Sequence, residues 1–405
     1  MANIYPFHPL RYTEKAGPLE NLVTQPYDKI SPQMQARYLS LSPYNLVRVI
    51  LGERGPADSD SDNVYTRAAA HLNDWTTSSV LARDPDPGLF AYFQEFTVPD
   101  TGERLVRKGF IGLGAVEDYS TGIVHRHEQT LAGPKKDRLE LLRHTHAHFG
   151  QIFMLYPDRA GAIDAMLDQA ASSTPLATVN DEYGATHRVW KISNTTPIVE
   201  AMRDKKLVIA DGHHRYETAL AFRNENPTLP GADCVMMTFV NMYSPGLKIL
   251  ATHRVVSGIA TGSFVNNASR HFQVDEIASL DVLKQSWNGA GPVVIGAAID
   301  GRIYRLQERT ASGDLDVRVL HQRLLGDVLG ITEDAVRHEK NLRYIRGIDN
   351  AVEEVRTGAA QIAFLLKPTS IEQVADTSFA GGVMPQKSTD FYPKLLSGLT
   401  IYKLD

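Results

Sequence analysis

The chain has 405 residues, of which 43% are hydrophobic and 22% are charged, a composition typical of a soluble globular protein. This length is enough for a large core divided between two or three lobes. The net charge of −5 excludes a global basic field, so binding to nucleic acid is disfavoured. The single cysteine, Cys234, excludes an intramolecular disulfide and a cysteine-rich zinc module.

Targeting and membrane-spanning patterns are missing from the sequence. Residues 1–8 lack the basic start and the apolar centre of a signal peptide, and no apolar run approaches the roughly 18 residues that a membrane span requires. We therefore expect a cytoplasmic protein that has no membrane partner.

The first 120 residues predict helices followed by a β-hairpin. The Ser-Pro pair at 31–32 is typical of a helix N-cap, and the β-branched run 47–51 predicts a strand. Apolar residues at helical spacing predict a helix over 65–80. Two alternating runs, 89–98 and 105–116, predict the two strands of the hairpin.

The rest of the chain alternates strands and helices without an internal repeat. The apolar run 152–156 predicts a strand, and the residues of 207–241 read as strand, turn, helix and strand, the length of one parallel crossover unit. The prediction is a mixed α/β fold, with a mixed sheet and flanking helices. We expect a main α/β domain at 1–256, a smaller α+β lobe at 257–312 and a mostly helical part at 313–405 that returns to the main domain.

The turn from Asp211 to Arg215 follows a short, apolar strand that suits burial on both faces. Asp211 can cap the next helix, and Gly212 permits a close approach to a ligand. The helix N-terminus attracts anions, yet His213, His214 and Arg215 place groups there that can carry positive charge. Each such cation interacts unfavourably with the helix dipole, at a cost of about 0.3–1 kcal/mol. A bound phosphate reverses that sign, so the pattern predicts a phosphate-binding turn. The alternative is that Asp211 pairs with Arg215 while the histidines fill gaps.

A second polar block places acid and cations together between residues 125 and 138. Glu128, among cations, stays ionised and is a candidate general base and Mg²⁺ ligand. Lys135 and Arg138 lie three apart on a predicted helix, where they could clamp phosphates. The alternative is a solvated helix start with ordinary ion pairs.

Three histidines close to this block raise the question of a metal. If the helix continued, His144 and His148 would share a face with Glu140, and His146 would point the opposite way. The His-Glu-x-x-His signature is missing, so a solvated or half-buried helix face is the favoured interpretation and metal binding stays open.

Other polar residues are candidates for contact with a substrate. Tyr27 and Asp28 lie in a Pro-bounded loop, where substrate contact and turn capping fit equally well, and Arg254 follows a predicted strand. The segment 381–389 imitates a Walker A loop, but Gln386 replaces its second glycine, so we reject a P-loop NTPase. Lys387 remains a candidate pocket residue.

The stretch 211–219, Asp-Gly-His-His-Arg-Tyr-Glu-Thr-Ala, resembles the Gly-x-x-Arg phosphate loop of ParB-type nucleotide-binding domains, sulfiredoxins and ParB-like free-serine kinases. The resemblance implies a ParB/sulfiredoxin-like core elaborated by further α+β lobes. It also implies ATP or ADP, with Mg²⁺, as cofactors.

Six sequence blocks, spread over most of the chain, resemble the prokaryotic family known as domain of unknown function 1015. The family supplies no settled reaction, and Asp390 departs from the aromatic residue expected beside Phe391. The blocks are 25–32, 42–48, 127–139, 209–219, 252–256 and 384–389.

Together these features predict a nucleotide-dependent phosphotransferase that acts on a small hydroxylated metabolite, with free serine as the acceptor implied by the loop resemblance. A nucleotide-binding or nucleotide-hydrolysing regulatory switch is the first alternative and a metal-dependent nuclease the second; the oligomeric state stays open, a homodimer included. The candidate residues are Glu128, Asp211 and His213 for catalysis, Glu128 for the metal, Gly212, His214, Arg215, Lys135, Arg138 and Lys387 for phosphate or nucleotide, and Tyr27, Asp28 and Arg254 for substrate.

Overall fold

The computed structural model describes residues 1–128, 130, 132–288 and 291–404. Two compact units divide the chain, Met1–Lys248 together with Pro393–Asp405, and Ile249–Tyr392. Gln129 and Leu131 of the predicted polar block lie outside the described residues. The three-part division at 256/257 and 312/313 stays a prediction.

The strands that precede Lys248 lie in the first unit. In chain order these are β1 (Ile4–Tyr5), β2 (Leu10–Tyr12), β3 (Leu81–Arg83), β4 (Leu89–Thr97), β5 (Arg104–Ala115), β6 (Val124–His125), β7 (Ala147–His148), β8 (Ile152–Tyr156), β9 (Ala177–Asn180), β10 (Thr186–Ile192), β11 (Leu207–Asp211) and β12 (Cys234–Asn241). The later strands are β13 (Lys248–Leu250), β14 (Thr252–Val256), β15 (Phe272–Ile277), β16 (Val294–Ile299), β17 (Arg302–Glu308), β18 (Leu342–Arg346), β19 (Ile362–Leu365), β20 (Asp390–Tyr392) and β21 (Tyr402–Lys403).

The helices include one at Val64–Thr77, which lies where helical spacing predicts a helix over 65–80. They are α1 (Pro32–Leu41), α2 (Val47–Ile50), α3 (Val64–Thr77), α4 (Ala132–Thr145), α5 (Ala162–Ala170), α6 (Thr196–Met202), α7 (His213–Glu225), α8 (Phe264–Ala268), α9 (Leu280–Ser286), α10 (Asp316–Val319), α11 (Glu333–Arg337), α12 (Ile348–Arg356) and α13 (Ile371–Phe379), with a π-helical stretch at Leu320–Val328. Within the described ranges, no helix combines the length and the apolar character needed to cross a bilayer.

A mixed sheet forms the centre of the first unit. Its strand order is β6-β11-β8-β12-β5-β4-β10-β9, with β1 added to β5. The hairpin of β4 and β5 is antiparallel, as its alternating pattern predicts. Strands β8 and β12 are buried along their whole length, as expected for strands covered on both faces. The mixed α/β prediction is confirmed.

The predicted parallel crossover over 207–241 is wrong. Strand β11 is antiparallel to β8 and β8 is parallel to β12, so β8 lies between the two strands that the crossover would have joined. Helix α7 therefore connects two antiparallel, non-adjacent strands. Local spacing cannot reveal that an upstream strand inserts between two later ones.

The strand predicted at 47–51 is also wrong, because these residues form α2. The Asn45 side chain accepts a hydrogen bond from the Val47 backbone N–H at 2.9 Å, and the Ile50 N–H donates to the Leu46 carbonyl. Val47, Val49 and Ile50 are all buried in this short helix. A brief apolar run suits a buried helical turn as well as a strand, and here the local capping decides.

The second unit is built on an antiparallel sheet of its own. The strand order is β15-β17-β16-β19-β14-β18. One face packs against a core that includes Phe264, Phe364 and Leu324, and the other against α12 through Ala351 and Leu365.

Candidate functional site

The predicted phosphate turn joins β11 to α7. Four of the five residues of β11 are buried, and Gly212 adopts φ 94° and ψ 25°, a left-handed conformation that favours glycine. Helix α7 starts at His213 with Gly212 as its N-cap and no side-chain cap. The expectation that Asp211 caps this helix is therefore wrong, because its carboxylate turns towards cations instead.

Arg215 folds back over the turn. Its Nη2 lies 3.0 Å from Asp211 Oδ2, and its Nη1 donates to the Gln151 carbonyl. A Cβ on Gly212 would lie 3.0 Å from the Arg215 Nη2, and one on Gly150 would lie 3.1 Å from its Nη1. The absence of a Cβ at Gly212 and Gly150 thus provides the space that the Arg215 guanidinium occupies. The Asp211–Arg215 pair of the alternative interpretation is present.

Gly212→Ala is expected to lower the free energy of unfolding by about 2 kcal/mol. Alanine is strained at the positive φ of this position, and its Cβ would crowd the Arg215 guanidinium. Urea denaturation measures the loss. Gly184→Ala is the matched control, because Gly184 has φ 79° and a Cβ added there would meet no atom within 4 Å. Equal losses in the two variants would contradict a role for Gly212 in seating Arg215.

Asp211 faces several cations. Lys394 Nζ lies 3.5 Å from Asp211 Oδ1, and Lys394 is 9% exposed. Burial raises the pKa of the Asp211 carboxyl, but the charges of Lys394, Arg215 and Lys29 outweigh burial and hold that pKa well below its ordinary value. Asp211 is therefore ionised at neutral pH, and its single negative charge is shared among these cations.

Arg107 adds a further positive charge under the turn. It is 1% exposed, its Nε donates to Gln94 Oε1 at 2.9 Å, and its guanidinium lies 4.6 Å from the Phe153 ring centroid. Burial lowers the pKa of Arg107 to about 9, while Tyr92 and Asp211 act in the opposite direction. Arg107 thus remains charged at neutral pH and feels the field of Asp211.

The same residues position the segment 393–397, which we call the C-terminal strap. Arg107 donates to the Pro393 carbonyl, Gln94 Nε2 donates to the Lys394 carbonyl at 2.8 Å, and the Leu396 N–H donates to the Tyr92 hydroxyl at 3.3 Å. These bonds fix the strap, and with it the Lys394 ammonium beside Asp211.

Sequence reasoning missed Lys394 and Arg107. Lys394 stands in no motif, and only the fold brings it to Asp211. Arg107 did carry a signal, because strand alternation places it on the same face as the buried Ile111. A charged residue on the buried face of a predicted strand usually has a partner or a function.

Two buried histidines join the polar block to the turn. His127 Nδ1 lies 2.8 Å from the Ile209 carbonyl, which can only accept, so this nitrogen carries the proton. The His127 backbone N–H points at His213 Nε2 at 3.4 Å, and the two rings meet edge to face at 4.7 Å. Burial lowers the pKa of both imidazoles. This contact gives His213 a packing role, and its catalytic role stays a prediction.

Glu128, Asp28 and His214 share one electrostatic neighbourhood. Burial lowers the pKa of His214, while the negative charges of Glu128 and Asp28 oppose that change. Within the part of the chain that the structure describes, no group of three or more His, Cys, Asp or Glu side chains is arranged to hold a metal ion. The role of Glu128 as base or metal ligand stays a prediction.

Lys135 and Arg138 start from one helix but reach different partners. Lys135 Nζ lies 2.9 Å from Glu217 Oε2 on α7. Arg138 Nε donates to Asp137 Oδ2 at 2.9 Å, and its guanidinium lies 4.1 Å from the Tyr27 ring centroid. Burial raises the pKa of Tyr27 to about 12. Arg138 therefore lies at the pocket described next, and Lys135 ties α4 to α7.

A pocket of about 60 Å³ lies beside the Arg215 guanidinium. It brings together Tyr27, Arg138 and Arg215, one from each of three predicted blocks. Apolar side chains of α4 and of the segment that follows it form most of the wall, and Thr218 of α7 supplies a hydroxyl. The lining residues are Pro26, Tyr27, Ile50, Arg138, Leu141, Leu142, Ala147, His148, Phe149, Gly150, Arg215, Thr218 and Ser397.

The helix face predicted for His144 and His148 does not form. Helix α4 ends at Thr145, His146 has φ 47°, and His148 lies in β7. The His148 ring stacks on Tyr402 at 5.9 Å, and burial lowers the pKa of His148 to about 4. The helix gives way here to β7, which pairs with β21, a long-range contact that helical spacing cannot foresee.

Arg254 and Lys387 lie in the second unit. Arg254 is buried, and its Nη2 donates to the carbonyls of Gln386 at 3.2 Å and Lys387 at 3.0 Å. Two of the six sequence blocks, 252–256 and 384–389, therefore meet in this unit. The predicted roles of these residues in substrate and phosphate binding stay predictions.

Comparison with known proteins identifies a family for most of the chain. A family model described as "Protein of unknown function (DUF1015)" matches residues 4–325. None of the curated proteins matches the chain.

Solved structures show distant similarity of fold. A free serine kinase in complex with AMP is 12% identical, with a TM-score of 0.40 over 70% of this chain and 88% of that chain. SbnI with C-terminal truncation from Staphylococcus aureus is 10% identical, with a TM-score of 0.38 over 71% of this chain and 87% of that chain. A conserved hypothetical protein from Pyrococcus furiosus is 12% identical, with a TM-score of 0.37 over 68% and 92% of the two chains.

Proposed function

The chain belongs to the DUF1015 family, and from that premise we propose that it is a phosphotransferase that moves the terminal phosphoryl group of a nucleotide to a small hydroxylated metabolite. Free serine, the acceptor implied by the loop resemblance, is the first acceptor to test. A nucleotide-binding regulatory switch is the alternative.

The convergence of positive charges at Asp211 carries this proposal. Lys394 and Arg215 both approach its carboxylate, at 3.5 and 3.0 Å, and the buried Arg107 feels its field. The N-terminus of α7 adds its own partial positive charge at the same place. Positive charges that converge at a helix N-terminus favour an anionic ligand, and a phosphate group suits such a site.

Within this proposal, the residues of the turn hold and neutralise the phosphates. Arg215, Lys394 and the N–H groups of Gly212 and His213 would bind phosphate oxygens, since catalysis of phosphoryl transfer depends mainly on positioning and charge neutralisation. Asp211 is a weak base because its pKa is depressed, so we assign it the task of orienting Arg215 and Lys394.

Glu128 is the candidate general base. The acceptor oxygen would attack the terminal phosphorus as the bond from phosphorus to the leaving nucleotide oxygen breaks, and the acceptor proton would pass to the Glu128 carboxylate. Mg²⁺ bound through nucleotide phosphates needs only one or two protein carboxylates and would neutralise the phosphate charge. We assign this ligand role to Glu128, because its charge acts on His214 beside the turn and because Lys394 and Arg215 occupy both oxygens of Asp211.

Isothermal titration calorimetry of the wild-type protein with ATP, ADP, CTP, GTP and inorganic phosphate tests the proposal. We expect at least one nucleotide to bind in the presence of Mg²⁺, inorganic phosphate to bind more weakly, and serine to accelerate the consumption of that nucleotide. Failure of every nucleotide and of phosphate to bind would overturn the phosphotransferase and the switch together. Binding without acceptor-dependent turnover would favour the switch.

A further inference from the structure

A row of polar side chains crosses three neighbouring strands of the central sheet and contacts the C-terminal strap. Gln94 of β4 lies opposite Arg107 of β5 on one side and opposite His187 of β10 on the other. All three side chains are buried, and directly opposed residues on neighbouring strands are close enough to interact. Burial of these groups costs desolvation that apolar side chains would avoid, so stability alone does not explain the row.

The contacts of Gln94 fix which atoms of the row donate hydrogen bonds. The Arg107 guanidinium can only donate, so the Gln94 atom that lies 2.9 Å from its Nε is the carbonyl oxygen Oε1. Gln94 Nε2 therefore donates, and its two hydrogens serve the Lys394 carbonyl at 2.8 Å and His187 Nδ1 at 3.3 Å. His187 Nδ1 is thus an acceptor, and the neutral imidazole carries its proton on Nε2.

Tyr92 and Asp181 bind the two ring nitrogens of His187, and we call these three residues the relay. The Tyr92 hydroxyl lies 2.7 Å from Nδ1 and donates to it, while its oxygen accepts the Leu396 N–H at 3.3 Å. His187 Nε2 donates to Asp181 Oδ2 at 3.2 Å, and the other oxygen of this carboxylate accepts two backbone N–H groups at 2.9 Å each. Burial lowers the pKa of His187, as a neutral ring requires. Asp181 thus orients His187, and His187 orients the hydroxyl that holds the strap.

We propose that the relay positions the Lys394 ammonium for phosphate binding, while its own residues do not bind phosphate. The proposal rests on the phosphotransferase function proposed above. Tyr92 holds the Leu396 N–H of the strap. Gln94 holds the Lys394 carbonyl, so the lysine side chain leaves a backbone that is fixed at two points, and its Nζ lies 3.5 Å from Asp211 Oδ1. Fixing the backbone in advance lowers the entropy lost when phosphate binds, which strengthens binding.

Tyr92→Phe removes the hydroxyl that joins His187 to the strap and keeps the ring. We expect its affinity for inorganic phosphate, measured by calorimetry at fixed ionic strength, to fall about 3–10-fold, the effect of one lost neutral hydrogen bond. His187→Gln breaks the relay one step earlier, and it should lower the affinity by a similar factor. The double variant should lose no more than the larger single loss, because both substitutions interrupt one chain of contacts.

Lys394→Met separates positioning from general damage to the fold. Without the ammonium the relay has nothing to position, so Tyr92→Phe should change phosphate affinity by less than about twofold in the Lys394→Met variant. A merely structural role for Tyr92 would weaken the site by the same factor in both backgrounds.

Tyr156→Phe is the matched control. Tyr156 is fully buried in the same sheet, and its hydroxyl makes no hydrogen bond to any described residue. Its removal should leave phosphate affinity within about twofold of wild type, because no contact of the strap is lost.

Nitrogen-15 NMR of the His187 ring tests the relay without any ligand. Wild type should show a neutral ring protonated on Nε2, and Tyr92→Phe should shift the Nδ1 signal. The proposal is overturned if this ring is protonated on Nδ1 at neutral pH, or if both relay variants bind phosphate like wild type. It is equally overturned if Tyr92→Phe loses as much affinity in the Lys394→Met variant, or if Tyr156→Phe weakens binding to the same extent.

Failure of the relay and failure of the proposed function give different results. Phosphate binding by wild type, combined with any of the contrary outcomes above, would leave the proposed function standing and remove only the relay. Failure of wild type to bind phosphate or any nucleotide would overturn the proposed function, and the task of the relay with it.

Discussion

Asp211→Asn is expected to lower the free energy of unfolding by about 3 kcal/mol at neutral pH, because it leaves Lys394 and Arg215 without their shared carboxylate in a mostly buried position. Urea denaturation of wild type and variant measures the difference. Asp168→Asn is the control, since Asp168 pairs with Lys108 but is 52% exposed, and that change should cost under about 1 kcal/mol. Equal losses would show that Asp211 does not balance the buried cations.

The same substitution has a defined pH dependence. The pKa of Asp211 is lower in the folded protein than in the unfolded chain, so its stabilising contribution is complete above the unfolded value of about 3.9. That contribution is lost as the pH falls towards the folded pKa. The stability difference between wild type and Asp211→Asn should therefore be constant from about pH 7 to pH 5 and shrink below about pH 4. A difference that grew on acidification would contradict the assigned pKa direction.

Arg215→Ala is expected to weaken binding of inorganic phosphate and of the bound nucleotide about 10–100-fold, the range for loss of charge-assisted hydrogen bonds. Calorimetry at fixed ionic strength measures the change. The expectation follows from the position of the guanidinium, which lies over Gly212 at the start of α7 and borders the pocket.

Arg143→Ala is the matched control for this loss. Arg143 forms exposed ion pairs with Glu140 and Glu225, so its removal changes the net charge equally without touching the turn. Phosphate affinity should stay within about twofold of wild type. If both variants weakened binding to the same extent, net charge would account for the effect and Arg215 would have no specific role.

The arrangement at Asp211 combines two interpretations that the sequence leaves as alternatives. The ion pair with Arg215 and the packing of His213 against His127 are both present, as the purely structural interpretation requires. Lys394 and Arg107 go beyond that interpretation, because Lys394 approaches the Asp211 carboxylate at 3.5 Å and Arg107 feels its charge. The phosphate proposal depends on this convergence of cations and not on Arg215 alone.

Several local elements of this protein follow directly from patterns in its sequence. Alternation specified the β4–β5 hairpin, a buried apolar run followed by glycine specified the turn at Gly212, and the spacing of apolar residues specified α3. These features depend on side chains and backbone angles within a few residues, which sequence patterns report directly.

Which distant groups meet depends instead on the packing of the folded chain. Three features join residues that are far apart in the chain. Strand β8 inserts between β11 and β12, the strap brings Lys394 to Asp211, and Arg107 lies within the field of Asp211. Local patterns carry no information on which strand becomes a neighbour, because strand pairing and side-chain burial are settled by packing of the whole unit.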